Sequence, residues 1–457
     1  MAETTRRDHR LYSFQTTGVR RLLQSPRLLL ADEMGLGKTP QALVAMSELM
    51  AATAITRTLI VCPASLLANW QYELRQWVPN CPSVIYRGAD RYGLLESGVP
   101  VLIASFETVT ADWRRRSQDG RRFFDTGLDL MIVDEAQRLR NPDSLSAKVL
   151  TCALVPRRWA LTGRPVENRP EDLGSILRVL EPNEFPSAES LRDYERILRL
   201  RDSLMLRRSK AEVLPELPER TMSYVPVEMA PAQRDLYNCE LERLKSHLHS
   251  ADRRGIAGSR GFLLGGIQRL RALCAVGEDE NDSGKLDYLE EEIGKLAQLG
   301  EKAVVFSTFA NKVLPAAASR LQAYGTVIYR GSMSLEEKEQ AHAKFISDSG
   351  ARVMLASLRA AGLGLTWTVA RYVYHLDLWW NPQALRQAED RVYRIGQQRG
   401  VLVKRLFASE SVEEGILGLV AKKEEMFGLA VAGRAAARTE DAPTDEELRS
   451  LLRLEGL

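Results

Sequence analysis

Between an apolar run at residues 28–30 and a stretch of helical spacing at 41–50 the chain carries DEMGLGKT at 32–39. A strand, a glycine-containing turn and a helix in that order constrain the fold more than any other feature of the sequence. Gly35 and Gly37 allow the backbone to turn so that its N–H groups face phosphate oxygens at the helix N-terminus, Lys38 adds positive charge there, and Thr39 offers a hydroxyl to Mg²⁺. Asp32 occupies the first glycine position of the general G-x-x-x-x-G-K-T pattern. Farther on, the apolar run at 130–133 ends in Asp134 and Glu135. Carboxylates at the C-terminal end of a buried parallel strand sit where such sheets bind ligands. Asp134 is placed to hold Mg²⁺, and Glu135 to orient and deprotonate an attacking water.

Short apolar runs recur at 28–30, 59–61, 101–104, 130–133, 303–306, 353–356 and 373–376, separated by helical spacings such as 41–50, 66–77 and 336–345. Strands alternating with helices predict parallel sheets covered on both faces, an α/β fold. A chain of 457 residues exceeds one ordinary hydrophobic core, so two core-forming lobes are expected. The alternation lapses between about 181 and 289, where Arg and Glu are dense. This predicts helical inserts around a linker marked by Pro215, Pro218 and Pro226. The expected plan is a first lobe over 1–215 with a helical protrusion at about 180–205, a linker at 216–227 and a helical insert at 228–284. A second lobe over 285–433 and a tail helix within 434–457 complete it.

Hydrophobic residues at 45% and charged residues at 27% exclude a largely disordered chain, and a net charge of +3 is no nucleic-acid signature by itself. Cys62, Cys81, Cys152, Cys239 and Cys274 fall singly, without a C-x-x-C pair, and His247 and His249 point to different faces of a helix, so a metal site of that kind is not expected. The polar start and the lack of an apolar run of about 20 residues predict a soluble, unexported protein, cytoplasmic or nucleoid-associated. In QAEDRVYRIGQ at 387–397, Arg391 and Arg394 are spaced i, i+3, which places them on one side of a helix if the helix continues. Facing the phosphate loop of the other lobe, they would supply the transition-state charge of phosphoryl transfer; the alternative is a surface helix with salt-bridged arginines.

With these motifs in view, the sequence resembles the Swi/Snf-like ATPases of helicase superfamily two over nearly its whole length. LYSFQTTG at 11–18 is similar to that family's adenine-recognition motif, with Gln15 as the base reader, and DEMGLGKT is close to its phosphate loop, Asp32 included. LIVCPASLLANWQYEL at 59–74 and VLIASFETV at 101–109 resemble backbone-gripping motifs of the first lobe, and VVFSTFA at 304–310 and YRGSMS at 329–334 those of the second. DEAQ at 134–137 stands for a DEAH-like box, LTGRPVENRPEDL at 161–173 for the motif coupling hydrolysis to lobe movement, and LRRSKAEVLPELPER at 206–220 for the stretch before the crossing into the second lobe. ASLRAAGLGLTWT at 356–368 followed by DLWWNPQALRQAEDRVYRIGQ at 377–397 is the most specific match. Departures are Arg164 for the usual Thr, Glu167 for Gln, Gln137 for a frequent His and Arg359 for a frequent Lys.

The resemblance implies two RecA-like parallel-sheet lobes with helical inserts between them, and a double-stranded-DNA translocase driven by ATP and Mg²⁺. It implies Lys38, Glu135, Arg391 and Arg394 as catalytic groups. Nucleotide contacts are implied for Gln15, Asp32, Glu33, Met34, Gly35, Leu36, Gly37, Lys38, Thr39, Gly364, Arg391 and Arg394, with Mg²⁺ at Thr39 and Asp134. DNA contacts are implied for Pro63, Ser65, Asn69, Ser105, Ser307, Arg330, Gly331, Ser332, Ser357, Arg359 and Trp380. Trp380 equally suits sealing of the second lobe's core. Further phosphate rails are expected at Arg114–Arg116 with Arg121 and Arg122, at Arg199, Arg201, Arg207, Arg208 and Lys210, and at Arg253, Arg254, Arg260, Arg269 and Arg271. Two other readings stay open: an adaptor that tracks DNA or senses ATP with weak motor activity, and a helicase acting on RNA or branched DNA.

Overall fold

A computed structural model of the chain describes residues 11–114, 127–163, 170–187, 189–253, 260–358, 366–431 and 443–452. The chain divides into two compact units, Met1–Glu216 with Leu429–Arg438, and Leu217–Gly428 with Thr439–Leu457.

Unit 1 is built on β1 (Arg27–Leu30), β2 (Thr58–Cys62), β3 (Ser83–Ile85), β4 (Val101–Ser105), β5 (Leu130–Val133), β6 (Arg157–Leu161) and β7 (Met205–Leu206). They form one sheet of order β3-β4-β2-β5-β6-β1-β7, parallel at every pairing. Apolar residues fill both faces of β2, β4 and β5, which are buried throughout. Two covered faces explain why these strands read as continuous apolar runs. Helices Ser13–Gln24, Lys38–Ala51, Leu67–Trp77 and Phe106–Arg114 connect or precede the strands. Buried Arg158 donates to the carbonyl of Val155 at 3.2 Å and to that of Val179 at 2.7 Å, the latter an acceptor near the end of the helix Pro170–Leu180. Burial pushes its pKa down to about 10.

Unit 2 contains β8 (Arg220–Val227), β9 (Ala303–Ser307), β10 (Thr326–Tyr329), β11 (Val353–Ser357), β12 (Tyr372–His375) and β13 (Val401–Ala408). Their order is β10-β11-β9-β12-β13-β8, again parallel at every pairing. Much of the expected linker 216–227 is therefore strand: β8 pairs with β13 from Arg220↔Val401 to Val227↔Ala408. Pro226 is tolerated because β8 is an edge strand, where a missing N–H costs no ladder bond on the open side. Helices Pro231–Arg253 and Arg260–Ala275 pack against each other and bury Tyr237, Leu244, Leu263, Ile267 and Leu270 in a second core of this unit. The helix Asp445–Leu451, opened by a Thr444–Glu447 capping box, adds Leu448 and Leu451 to that core. No described helix is long and apolar enough to cross a membrane.

Candidate nucleotide site and strand-end motifs

In unit 1 the residues singled out from sequence gather at the carboxyl edge of the sheet. The loop after β1 leads into the helix Lys38–Ala51, with Gly35 at φ 85° and Gly37 at φ 72°. A side chain at Gly37 is excluded twice, by that left-handed conformation and by Gln15, whose Nε2 would lie 2.5 Å from the added Cβ. Gln15 is buried and braces the loop: its Nε2 donates to Leu36 O at 3.0 Å while its Oε1 accepts from Tyr12 N at 3.0 Å. Lys38 Nζ donates to Asp32 O at 2.7 Å and to Glu33 O at 3.4 Å, so the ammonium sits over the loop it is expected to complete. Glu33 is exposed, Met34, Gly35, Gly37 and Thr39 are half-buried, and Leu36 is buried.

The Asp32 side chain is turned into the interior of the unit. It is fully buried, its Oδ1 accepts from Arg208 Nε at 2.9 Å, and its Oδ2 accepts from Gln41 Nε2 at 3.1 Å and from Arg208 Nη2. The Asp32 carboxylate is thus committed to supporting the loop, and Arg208, expected on a rail for DNA, turns inward to meet it. Lys210 is likewise buried, with its N–H donating to Glu33 Oε2 at 2.7 Å.

Beyond β5, Asp134 Oδ2 accepts from Trp70 Nε1 at 2.8 Å, and Asp134 Oδ1 accepts from Glu135 N at 2.8 Å. Burial, and then the charge of Glu135, push the Asp134 carboxyl up to about pKa 7 against the opposing effects of Trp70 and Lys38. Two adjacent carboxylates, one of them with its charged form disfavoured by these surroundings, are relieved by a cation. Mg²⁺ characteristically takes one or two carboxylates together with phosphate oxygens and waters. Asp134 and the Thr39 hydroxyl fit that demand, and no cluster of three or more His, Cys, Asp or Glu suited to holding a metal alone exists among the described residues. Glu135 adopts φ 51° and ψ 48°, a left-handed conformation that is costly for a residue with a side chain. Its Oε2 accepts from Gln137 Nε2, and Gln137 Oε1 accepts from Thr162 Oγ1 at 2.7 Å. Gly163 lies against the loop, since a Cβ there would stand 2.5 Å from Met34 Cγ and 3.5 Å from Lys38 Nζ. The strand ends of β1, β5 and β6 thus share one site. Sequence reasoning missed the supports Trp70, Gln41 and Arg208; each lies in or beside a quoted motif, but spacing alone assigns them no partner.

The expected backbone-contacting residues also lie at or just beyond strand ends. Pro63 and Asn69 are half-buried and Ser65 exposed in the segment after β2; Arg330 is half-buried, and Gly331 and Ser332 are exposed after β10. Three serines of this set have side chains that are bonded inward or buried. Ser105 accepts from Thr108 N at 3.1 Å, Ser307 donates to Asp377 Oδ2 at 2.6 Å, and Ser357 is 6% exposed. Trp380 is 4% exposed, stacked on Trp379 at 4.3 Å between ring centroids and packed in the second core of unit 2, so its ring is not offered to a base. Arg271, expected on a rail, is buried beneath these rings with its guanidinium 5.0 Å from the Trp379 centroid and 3.2 Å from Asp377.

The helix Pro382–Glu389 ends before the paired arginines, so Arg391 and Arg394 occupy turns rather than one helical face. Backbone bonds tighten there, with Arg391 N donating to Ala388 O at 3.1 Å, and Gly396 turns at φ 96°. Glu389 anchors that helix end. Its Oε1 accepts from Arg405 Nη2 at 2.8 Å and lies 3.3 Å from His375 Nε2, while Arg220 Nη1 is 3.4 Å from Oε2. Gln397 pins the following turn, donating to Ala370 O at 2.9 Å. Arg359 and Gly364, the departures Arg164 and Glu167, and the basic positions Arg115, Arg116, Arg121, Arg122 and Arg254 lie outside the described residues.

Two RecA-like parallel sheets, one with a phosphate loop and an acidic pair at its carboxyl edge, define a phosphate-loop α/β protein of helicase-like build. A model of the SNF2-related domain matches residues 14–277, and one of the helicase conserved C-terminal domain matches 284–396. The chain belongs to the SNF2-related family. It is 29% identical to an uncharacterized ATP-dependent helicase of Mycoplasma genitalium, over 91% of this chain and 42% of that protein. It is also 29% identical to CHROMATIN REMODELING 4 of Arabidopsis thaliana, over 88% of this chain and 20% of that protein. Among solved structures, the Sulfolobus solfataricus SWI2/SNF2 ATPase core in complex with dsDNA is 26% identical, with 97% of each chain covered and a TM-score of 0.45. The chain spans between 20% and 45% of the length of the curated relatives it matches.

Proposed function

We propose that this chain hydrolyses ATP with Mg²⁺ at the carboxyl edge of its first sheet, and that duplex DNA, held through its phosphates, stimulates the reaction and is the track of a translocase. The observation that carries the reading is the convergence at one edge of Lys38 and Thr39, the Asp134–Glu135 pair, and the Gln137–Thr162 bond that ties the pair to the next strand. Mg²⁺ would be held by Asp134 and Thr39 and would supply charge neutralisation at the phosphates. Lys38 binds the phosphates, and Glu135 orients and takes the proton from water. Relatives named as ATP-dependent helicases and as chromatin-remodelling proteins support ATP use and action on DNA. Backbone-directed contacts carry little sequence information, which suits movement along any duplex.

The test is the ATPase rate with no nucleic acid, single-stranded DNA, duplex DNA and duplex RNA, with triplex displacement run beside strand displacement. Duplex-DNA stimulation with triplex displacement supports the translocase. Efficient unwinding of a plain duplex replaces it with a helicase, and absence of ATPase activity at saturating DNA replaces it with an adaptor.

A further inference from the structure

Arg208 joins parts of unit 1 that are distant in sequence. Its Nε donates to Asp32 Oδ1 at 2.9 Å, its Nη2 to Gln41 Oε1 at 2.9 Å and to Asp32 Oδ2, and its Nη1 to Phe14 O. One guanidinium therefore connects the start of the phosphate loop, the helix that follows it and the segment carrying Gln15. The packing leaves no room for a side chain at Gly18, whose Cβ would stand 1.9 Å from Gln41 Oε1 and 2.9 Å from Arg208 Nη2. A planar fork with several fixed donors satisfies such a set; a lysine's single ammonium reaches it only in part.

The backbone around Arg208 is bound to the same loop. Ala31 N donates to Leu206 O at 2.7 Å and Glu33 N to Arg208 O at 2.9 Å, while Lys210 N donates to Glu33 Oε2 at 2.7 Å. The chain then forms the capped helix Lys210–Val213, buries Leu214 and leaves unit 1 at Glu216. The segment that leads out of unit 1 at Glu216 is thus hydrogen-bonded to the phosphate loop from both sides of Arg208.

We infer that Arg208 is a positioning residue that locks the phosphate loop to the exit segment 209–216, so that nucleotide binding at the loop is transmitted to the stretch of chain leading out of unit 1. This rests on the reading of 32–39 as the ATP loop. A ligand that fixes the loop removes motion from whatever the loop is bonded to, and that transmission requires the guanidinium fork.

The experiment uses the full chain, a ribose-labelled fluorescent ATP to read affinity, and hydrogen exchange of peptides covering 205–216 with and without ATP and Mg²⁺. Wild type is expected to bind the probe and to slow exchange in 209–216 on binding. Arg208→Lys, which keeps a cation beside buried Asp32, is expected to weaken binding about tenfold, the size of one charge-assisted hydrogen bond, and to lose the ATP-dependent protection. Asp32→Asn guards against misfolding of the first variant, and it is expected to lose the protection too, with the double variant little worse than either single one. A merely structural role would lower the melting temperature without abolishing nucleotide-dependent protection in the molecules that bind. The inference is overturned if wild type binds the probe without protecting 209–216, or if Arg208→Lys shows full affinity and full protection. Failure of wild type to bind the probe at all overturns the ATP reading itself and this inference with it.

Discussion

Thr162 donates its hydroxyl hydrogen to Gln137 Oε1 at 2.7 Å, and the amide nitrogen of the same side chain donates to Glu135. The carboxylate expected to activate water is thereby tied to Thr162, just past the end of β6, and the following Gly163 lies so near the phosphate loop that an added Cβ would meet Met34. Gln137 can make both bonds because an amide has a donor and an acceptor end. Gln137→Ala should therefore leave ATP affinity near normal and lower kcat roughly 10- to 100-fold, the scale for a catalytic group displaced by about 1 Å. Steady-state kinetics beside direct nucleotide binding decide it; unchanged kcat would remove Gln137 from the positioning of Glu135.

Glu135→Gln preserves size and the capacity to accept a hydrogen bond but cannot take a proton. Turnover should fall on the order of 10²- to 10⁴-fold with nucleotide and DNA binding largely intact. Lys38→Ala should weaken nucleotide binding itself, because Lys38 sits on the loop rather than beside the water site. Near-normal hydrolysis by Glu135→Gln would mean that another group is the base.

Uninterrupted apolar runs such as those of β2, β5, β9 and β11 were legible because both faces of these strands are buried. The runs in β13 and β8 were hidden for a physical reason. Lys404 and Arg405 interrupt β13 because Arg405 enters the interior to meet Glu389, and β8, at the sheet edge, has exposed Thr221, Met222 and Ser223. The phosphate loop could be read from spacing because its chemistry lies within a few consecutive residues. The role of Asp32 could not, since its partner Arg208 is 176 residues away. The i, i+3 spacing of Arg391 and Arg394 suggested a continuing helix, but spacing carries no stop signal for Glu389, which is drawn into a buried ion cluster.

Duplex binding through phosphates predicts a strong salt dependence with little sequence preference. If about 5 to 8 phosphates are neutralised, log K should fall against log[salt] with a slope of roughly −4 to −7. The basic side chains that turn inward, Arg208, Lys210 and Arg271, should not contribute to it. Fluorescence anisotropy with unrelated duplexes of equal length measures both properties. A shallow slope with marked sequence preference would indicate base readout.

The ion cluster in unit 2 predicts acid lability with a definite sign. Burial works against ionisation of Glu389, but His375, Arg405 and Arg220 override it and hold the carboxyl well below the usual carboxylate range. Its contribution is present above the unfolded-state value of about 4.3 and is lost as pH falls toward the depressed folded value. Burial lowers the pKa of His375 against the opposing hydrogen bond and charge of Glu389, so the unfolded chain gains a proton there at higher pH than the folded one. Stability should therefore begin to fall as pH drops through about 6.5, the unfolded histidine value, and fall further below about 4.3. Glu389→Gln leaves Arg405 buried without its carboxylate and should cost about 3–5 kcal/mol, removing the lower of the two acid steps. Melting curves of wild type and variant between about pH 2 and 8 check this, a range that covers both the histidine step and the carboxylate step. A wild-type stability that stays level down to pH 4 would show that the cluster is not held in the ionisation states drawn here. A variant with the unaltered wild-type pH profile would show that Glu389 does not set the acid limit of this unit.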